Sequence, residues 1–366
     1  MTFVRPLARH LAFGGGARYG HTGTVTGETL FMRFVEMVRG IGLGGVGLVC
    51  TLAALICLFL DPHAALMGWL AAAVFLQAVP FGALVLLAVM RLAHGKWETD
   101  LRGATEAAAG VWFLSALTFI PVLVGSGFIF EGGPWGGIVP FVAGTILWFI
   151  MLAAIARSQV GGRCSKGASV IALIVLVLGG SLLAVDWFMS LEVEFQTSGY
   201  TLQVLLLEIC VAYLAILLLR LTRRPEPQYT GALGAVLLLC LMLWFLFQFL
   251  PHLLIWADIL PDSAGWYAVR AEGIWVWIVA AIGILGIGPM LALLLPQVRR
   301  SPRALALAGF PALVGKGLEF VWFAVPGNGL PALLAYLFAL CGFGCFAASY
   351  LAPGTAWYLP KGKAAV

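Results

Sequence analysis

Charge is what this chain has least of: 16 acidic and 21 basic residues among 366, or 10% in all. So little polar surface cannot cover a water-soluble body of this length. The basic residues form no continuous run, which excludes a nucleic-acid interface and leaves the net charge of +5 as a topology signal. Histidine is scarce too. Of His10, His21, His63, His94 and His252, only His252 falls inside an apolar segment, so a bis-histidine haem within the membrane is excluded. None of the seven cysteines forms a Cys-x-x-Cys pair, and they read as small apolar packing residues. Strand-like alternation is absent, which argues against a transmembrane barrel. A removable signal peptide is not expected, because no apolar core precedes residue 40.

What the chain does have is hydrophobic length: 62% of residues are hydrophobic and the mean hydropathy is +1.03. A spanning helix needs roughly 20 apolar residues. Ten segments qualify, near 41–60, 63–92, 104–130, 137–156, 168–189, 202–221, 233–256, 273–298, 304–325 and 331–351. The connectors alternate in charge. One set, with the N-terminal arginines and the C-terminal lysines, holds nineteen of the twenty-one basic residues; the other holds Asp61, Glu131, Glu192, Glu194, Asp258 and Asp262. The positive-inside rule then puts both termini in the cytoplasm. The expectation is an all-α membrane protein of ten spans, two four-helix bundles (spans two to five and six to nine) and two flanking helices. Residues 1–39 form a cytoplasmic N-terminal segment, 40–352 the membrane domain and 353–366 a cytoplasmic tail. The Gly-x-Gly-x-x-Gly match at 40–45 has no strand before it and carries no nucleotide site.

Polar residues inside the apolar segments are the functional candidates, because lipid offers them no partner. Gln248 and His252 lie four apart in span seven and share a helix face, with Pro251 expected to bend that helix. They suit a pocket for a carbonyl or hydroxyl head group, or else are satisfied by neighbouring helices. Asp186 lies near the outer end of span five, as a cap or as a proton-exchanging or quinone-facing carboxylate. Glu208 lies deep in span six. Lys316 and Glu319, three apart in span nine, are either a packing pair or a step in a proton path. Asp258, Arg270 and Glu272 follow span seven and read as an outer mouth or a partner contact. Tryptophans near span ends, including Trp69, Trp187, Trp256 and Trp266, read as an interfacial belt.

Several stretches occur in an order that resembles a known family: HGKW at 94–97, VDWFMSLE at 185–192, FLFQFLPHLLIWADILPD at 245–262, WYAVRAEGIW at 266–275 and LEFVWFAVPG at 318–327. Over roughly residues 40–350 the chain resembles the NrfD-like membrane subunits, and among them the ActF subunit of alternative complex III, a quinol:electron acceptor oxidoreductase. The resemblance implies a multi-pass subunit of the bacterial inner membrane within a respiratory electron-transport complex, rather than a catalyst by itself. It implies no metal or covalent cofactor in this chain, quinone or quinol as a possible ligand, and a role in proton translocation. The implied partners are a related quinol-binding NrfD-like subunit and periplasmic iron–sulfur and cytochrome c subunits, which carry the clusters and haem; lipid surrounds them and nucleic acid has no part. Asp186, Arg270, Glu272 and Glu319 occupy motif positions, and Gln248 matches more loosely. The chain departs from the family at Val193, Glu194 and Phe195, at Lys316 where histidine is frequent, and at His252. Two other functions compete: a structural anchor for peripheral redox subunits, and a secondary transporter, whose signature would be matched interrupted helices in two halves.

Overall fold

The computed structural model describes residues 27–129, 137–160, 164–189, 199–223, 227–257, 259 and 264–352. Asp258, the acidic connector residues 131, 192, 194 and 262, and both terminal tails lie outside the described residues. In chain order the helices are α1 Gly27–Leu60, α2 Pro62–Leu92, α3 Lys96–Ala109, α4 Trp112–Thr118, α5 Ile120–Val124, α6 Ser126–Ile129, α7 Ile138–Gln159, α8 Lys166–Trp187, α9 Tyr200–Arg223, α10 Thr230–Trp256, α11 Ala264–Val269, α12 Ile274–Leu294, α13 Pro296–Arg300, α14 Pro302–Ala324 and α15 Gly329–Tyr350. No strand occurs among the described residues, and ten helical segments are long and apolar enough to cross a membrane. Residues up to Gly42 form one unit and residues from Leu43 another. In the first, the helix starting at Gly27 loses regular geometry at Gly42 (φ 72°, ψ 162°).

Helix ends follow local chemistry. Asp61 caps α2 by accepting from the Ala64 N–H at 3.0 Å, with Pro62 at the first helical position; Ser165 and Ser301 cap α8 and α14 in the same way. Gly137, Gly273 and Gly327 turn the chain with positive φ, which only glycine adopts without strain.

Packing gives two four-helix groups. The first contains α2, the α3–α6 run, α7 and α8; the second contains α9, α10, α12 and α14. Helix α2 is the hub, because it packs on α15, α9 and α14 as well as on its own group. Its sequence explains this. It is apolar on every side, and small residues let neighbours come close: a Cβ on Gly68 would lie 1.8 Å from the Ala332 carbonyl oxygen of α15, and one on Gly82 would lie 2.3 Å from Ala212 Cβ of α9. On the flanks, α1 meets α15 where a Cβ on Gly342 would lie 2.4 Å from Thr51 Oγ1.

Helix α10 carries the buried Pro251 within one continuous helix. Membrane helices tolerate proline where neighbouring groups re-satisfy the freed backbone. An interruption falls in span three, which breaks at Gly110–Val111 and again around Phe119 and Gly125. There Ser115, Thr118 and Ser126 donate to carbonyls three residues back, and the Trp69 indole donates to the Thr118 carbonyl at 2.8 Å. Those contacts satisfy backbone groups that lipid could not.

The tryptophan belt also needs correction. Trp69, Trp187 and Trp266 are buried, as are Trp148, Trp244 and Trp322, whereas Trp256 and Trp277 are strongly exposed. The buried rings reach internal acceptors: Trp187 donates to Thr145 Oγ1 at 3.0 Å and Trp322 to the Arg270 carbonyl at 3.2 Å. A tryptophan near a span end can turn inward when a carbonyl or hydroxyl there takes its N–H.

Candidate functional site

The second bundle brings together polar side chains of α9, α10 and α14. Successive turns of α10 carry Trp244, Gln248 and His252 on one face, and the three side chains rise along that helix over about 12 Å. All three line a cleft of about 360 Å³ between α10 and α12, with Phe245 and Phe249 beside them and Glu319 and Trp322 contributed by α14. That volume lies in the range of small-ligand pockets, about 300–1,000 Å³. Its walls are almost wholly apolar.

At the inner end stands a buried ionic cluster. Glu319 accepts the Trp244 indole N–H on both carboxylate oxygens, at 3.0 and 2.9 Å, and Lys316 Nζ at 3.2 Å on Oε2. The ammonium also lies over the Trp244 ring, 2.7 Å from its centroid. Lys316 and Glu319 are fully enclosed. The sequence prepares this place with glycines. Gly315 and Gly317 flank the lysine, and a Cβ on either would crowd Leu285 or Tyr336; a Cβ on Gly286 of α12 would lie 2.4 Å from the Trp244 ring. The pair satisfies itself through charge, hydrogen bond and ring face, so it survives burial that a single charge would not.

Half-way along the cleft, the Gln203 amide of α9 donates to Gln248 Oε1, and Gln203 Oε1 is buried with no partner among the described residues. At the rim, the exposed His252 has Nδ1 2.9 Å from the Gln248 carbonyl and packs edge-on to Tyr267, with ring centroids 4.8 Å apart. Tyr267 lies outside the spans, and burial pushes its phenol well above the usual tyrosine range.

The remaining candidates are elsewhere. Glu208 is buried on α9 with Oε1 unpartnered among the described residues, away from the cleft wall. Asp186 is half-buried at the end of α8 in the first bundle, close to Gly144 of α7. Arg270 faces inward: it donates to the carbonyls of Trp266 (3.1 Å), Trp322 (3.2 Å) and Phe323 (3.1 Å), and its guanidinium stacks 3.7 Å from the Trp266 ring centroid. Two of those carbonyls close the last turn of α14, so the arginine is a helix C-cap. Glu272 is exposed beside it.

Sequence reasoning missed Trp244, Gln203 and Trp322. Trp244 was findable, since it extends the four-residue ladder of Gln248 and His252 by one turn. Gln203 belongs to another helix, and no spacing links it to Gln248. No group of three or more histidine, cysteine or acidic side chains with metal-holding geometry occurs among the described residues. Compared with known families and with curated proteins, the chain matches no family model and no curated protein.

Proposed function

We propose that the protein is a membrane subunit of a respiratory quinol-oxidising complex of the alternative complex III type, in which the cleft between α10 and α12 supports quinone interaction and passes protons inward from its rim. The observation that carries this reading is one apolar cleft bearing three polar groups in line, His252, Gln248 and Glu319, with a charge-paired lysine behind the last. A quinone supplies a carbonyl head group that exchanges two electrons and two protons, carried on an apolar tail. Phe245 and Phe249 offer the tail and ring a flat apolar wall. The Gln248 amide and the His252 imidazole offer hydrogen bonds to a carbonyl or hydroxyl, and Glu319 Oε1 is the proton acceptor at the inner end. Lys316 and the Trp244 N–H hold that carboxylate in place. Electrons leave through partner subunits on the acidic side, which this reading places in the periplasm, in a bacterial inner membrane.

Mild-detergent purification of the intact assembly tests the class: haem and iron–sulfur proteins should come with the chain. Glu319→Gln should lower quinol oxidation by the complex by about a hundredfold, while assembly, read by subunit stoichiometry, stays intact. Purification of the chain alone, or full activity in the variant, would defeat the proposal.

A secondary transporter is favoured by one observation. Span three, second in the first bundle, is broken at Gly110–Val111, and interrupted helices are a transporter signature. Substrate uptake by the chain alone in liposomes would select that reading.

A further inference from the structure

The basic end of the second bundle carries three arginines in five residues, Arg299 and Arg300 on α13 and Arg303 on α14. Four other arginines at this end are answered. Arg102 bridges Glu98 and Glu106, at 2.7 and 3.1 Å; Arg220 pairs with Asp100 at 3.0 Å; Arg91 and Arg223 donate to the carbonyls of Cys164 and Leu351. The three arginines have no such partner among the described residues, and Arg299 Nε is enclosed with no acceptor. No Asp or Glu occurs between Glu272 and Glu319. Two long helices, α10 and α14, begin at this place, so their positive ends add to the same field.

The cluster is held against α10 by glycine. A Cβ on Gly234 would lie 2.9 Å from the Arg299 carbonyl oxygen, and one on Gly231 would lie 3.4 Å from Arg300 Cγ. Immediately toward the membrane centre, Leu291, Leu294 and Leu295 of the α12 end and Leu307 of α14 are exposed. A positive seat with an apolar wall running from it into the membrane matches an anion that carries acyl chains. A soluble phosphate would make no use of the leucines.

We propose that Arg299, Arg300 and Arg303 form a binding site for the phosphate head group of an anionic phospholipid, whose acyl chains lie along Leu291, Leu294, Leu295 and Leu307. This site is independent of the cleft and of the function proposed for it.

The test uses the full chain purified in a neutral detergent, titrated separately with tetraoleoyl cardiolipin, dioleoyl phosphatidylglycerol, dioleoyl phosphatidylcholine and inorganic phosphate, with retention read by native mass spectrometry and stability by the unfolding temperature. The anionic lipids should be retained and should raise the unfolding temperature; phosphatidylcholine and inorganic phosphate should do neither. Arg299→Gln/Arg300→Gln/Arg303→Gln should weaken anionic-lipid binding by about a hundredfold. The double variant Arg300→Gln/Arg303→Gln changes only exposed side chains and should weaken it by about twentyfold if the triple variant does not fold. Arg157→Gln/Lys166→Gln removes equal charge from another basic connector and should leave binding unchanged. Wild-type affinity in the double variant, an equal loss in the control pair, equal retention of phosphatidylcholine, or an equal effect of inorganic phosphate would each overturn the assignment.

Discussion

Arg270 shows how a single side chain can be read in two ways. Its guanidinium sits among three main-chain carbonyls and on the Trp266 ring, fixing α11 to the end of α14. A lysine would keep the charge and lose the planar fork. Arg270→Lys should therefore destabilise the fold by about 2–3 kcal/mol, measured by denaturant unfolding in detergent; a change under about 0.5 kcal/mol would contradict the clamp. In sequence, Arg270 stands beside Glu272 in an outer connector and reads as a mouth or partner contact. Of these two, Glu272 is exposed and Arg270 is buried. The reason is physical: an arginine beside a helix C-terminus finds unsatisfied carbonyls, whereas a glutamate there finds none of its own kind of partner.

At the scale of elements, α2 and span three behave oppositely. Helix α2 is uniformly apolar and bears close approaches on several sides, so its glycines are steric necessities. Gly68→Ala would drive a methyl into the Ala332 backbone and should cost at least about 3 kcal/mol, or prevent α15 from docking. Gly344→Ala on α15, where nothing lies within 4 Å, should stay within about 0.5 kcal/mol of wild type. Comparing the two unfolding temperatures checks both. Span three is apolar enough to cross yet divides into short helices, because Gly110 and Pro121 interrupt it and three hydroxyls offer its carbonyls other donors. Its first turns are tied down at the basic end, where Asp100 accepts from Arg220 and from the backbone N–H groups of Gln228 and Tyr229, binding α3 to the α9–α10 connection. Helix and span number were legible in the sequence; where a span would break was not, since the proline of α10 was the louder signal and the weaker one in effect.

For the whole molecule, ten helices long and apolar enough to cross a membrane are joined by connectors whose sequences alternate in charge. In a chain whose native cysteines are replaced, Lys166→Cys and Glu272→Cys should react with an impermeant thiol reagent from opposite sides of sealed vesicles, because three spans separate them; labelling from one side would refute the topology. Much of this level is written in the sequence. Hydrophobic runs of the right length and connectors alternating in charge determine an all-helical membrane protein of ten spans and its two bundles, since the bilayer requires each backbone group to be paired within its own helix and so makes span detection a local problem. The four-residue ladder of Gln248 and His252 and the three-residue pair of Lys316 and Glu319 are local in the same sense, each confined to one helix. What only the tertiary structure decided is that these two features meet: Trp244 of α10 joins Glu319 of α14, Gln203 of α9 joins Gln248, and Glu208 and Asp186, equally suspicious in sequence, stay apart from the cleft. Contacts between helices depend on which small residues allow close approach and which polar atoms must find a partner out of water, and neither is fixed by the spacing along any one helix.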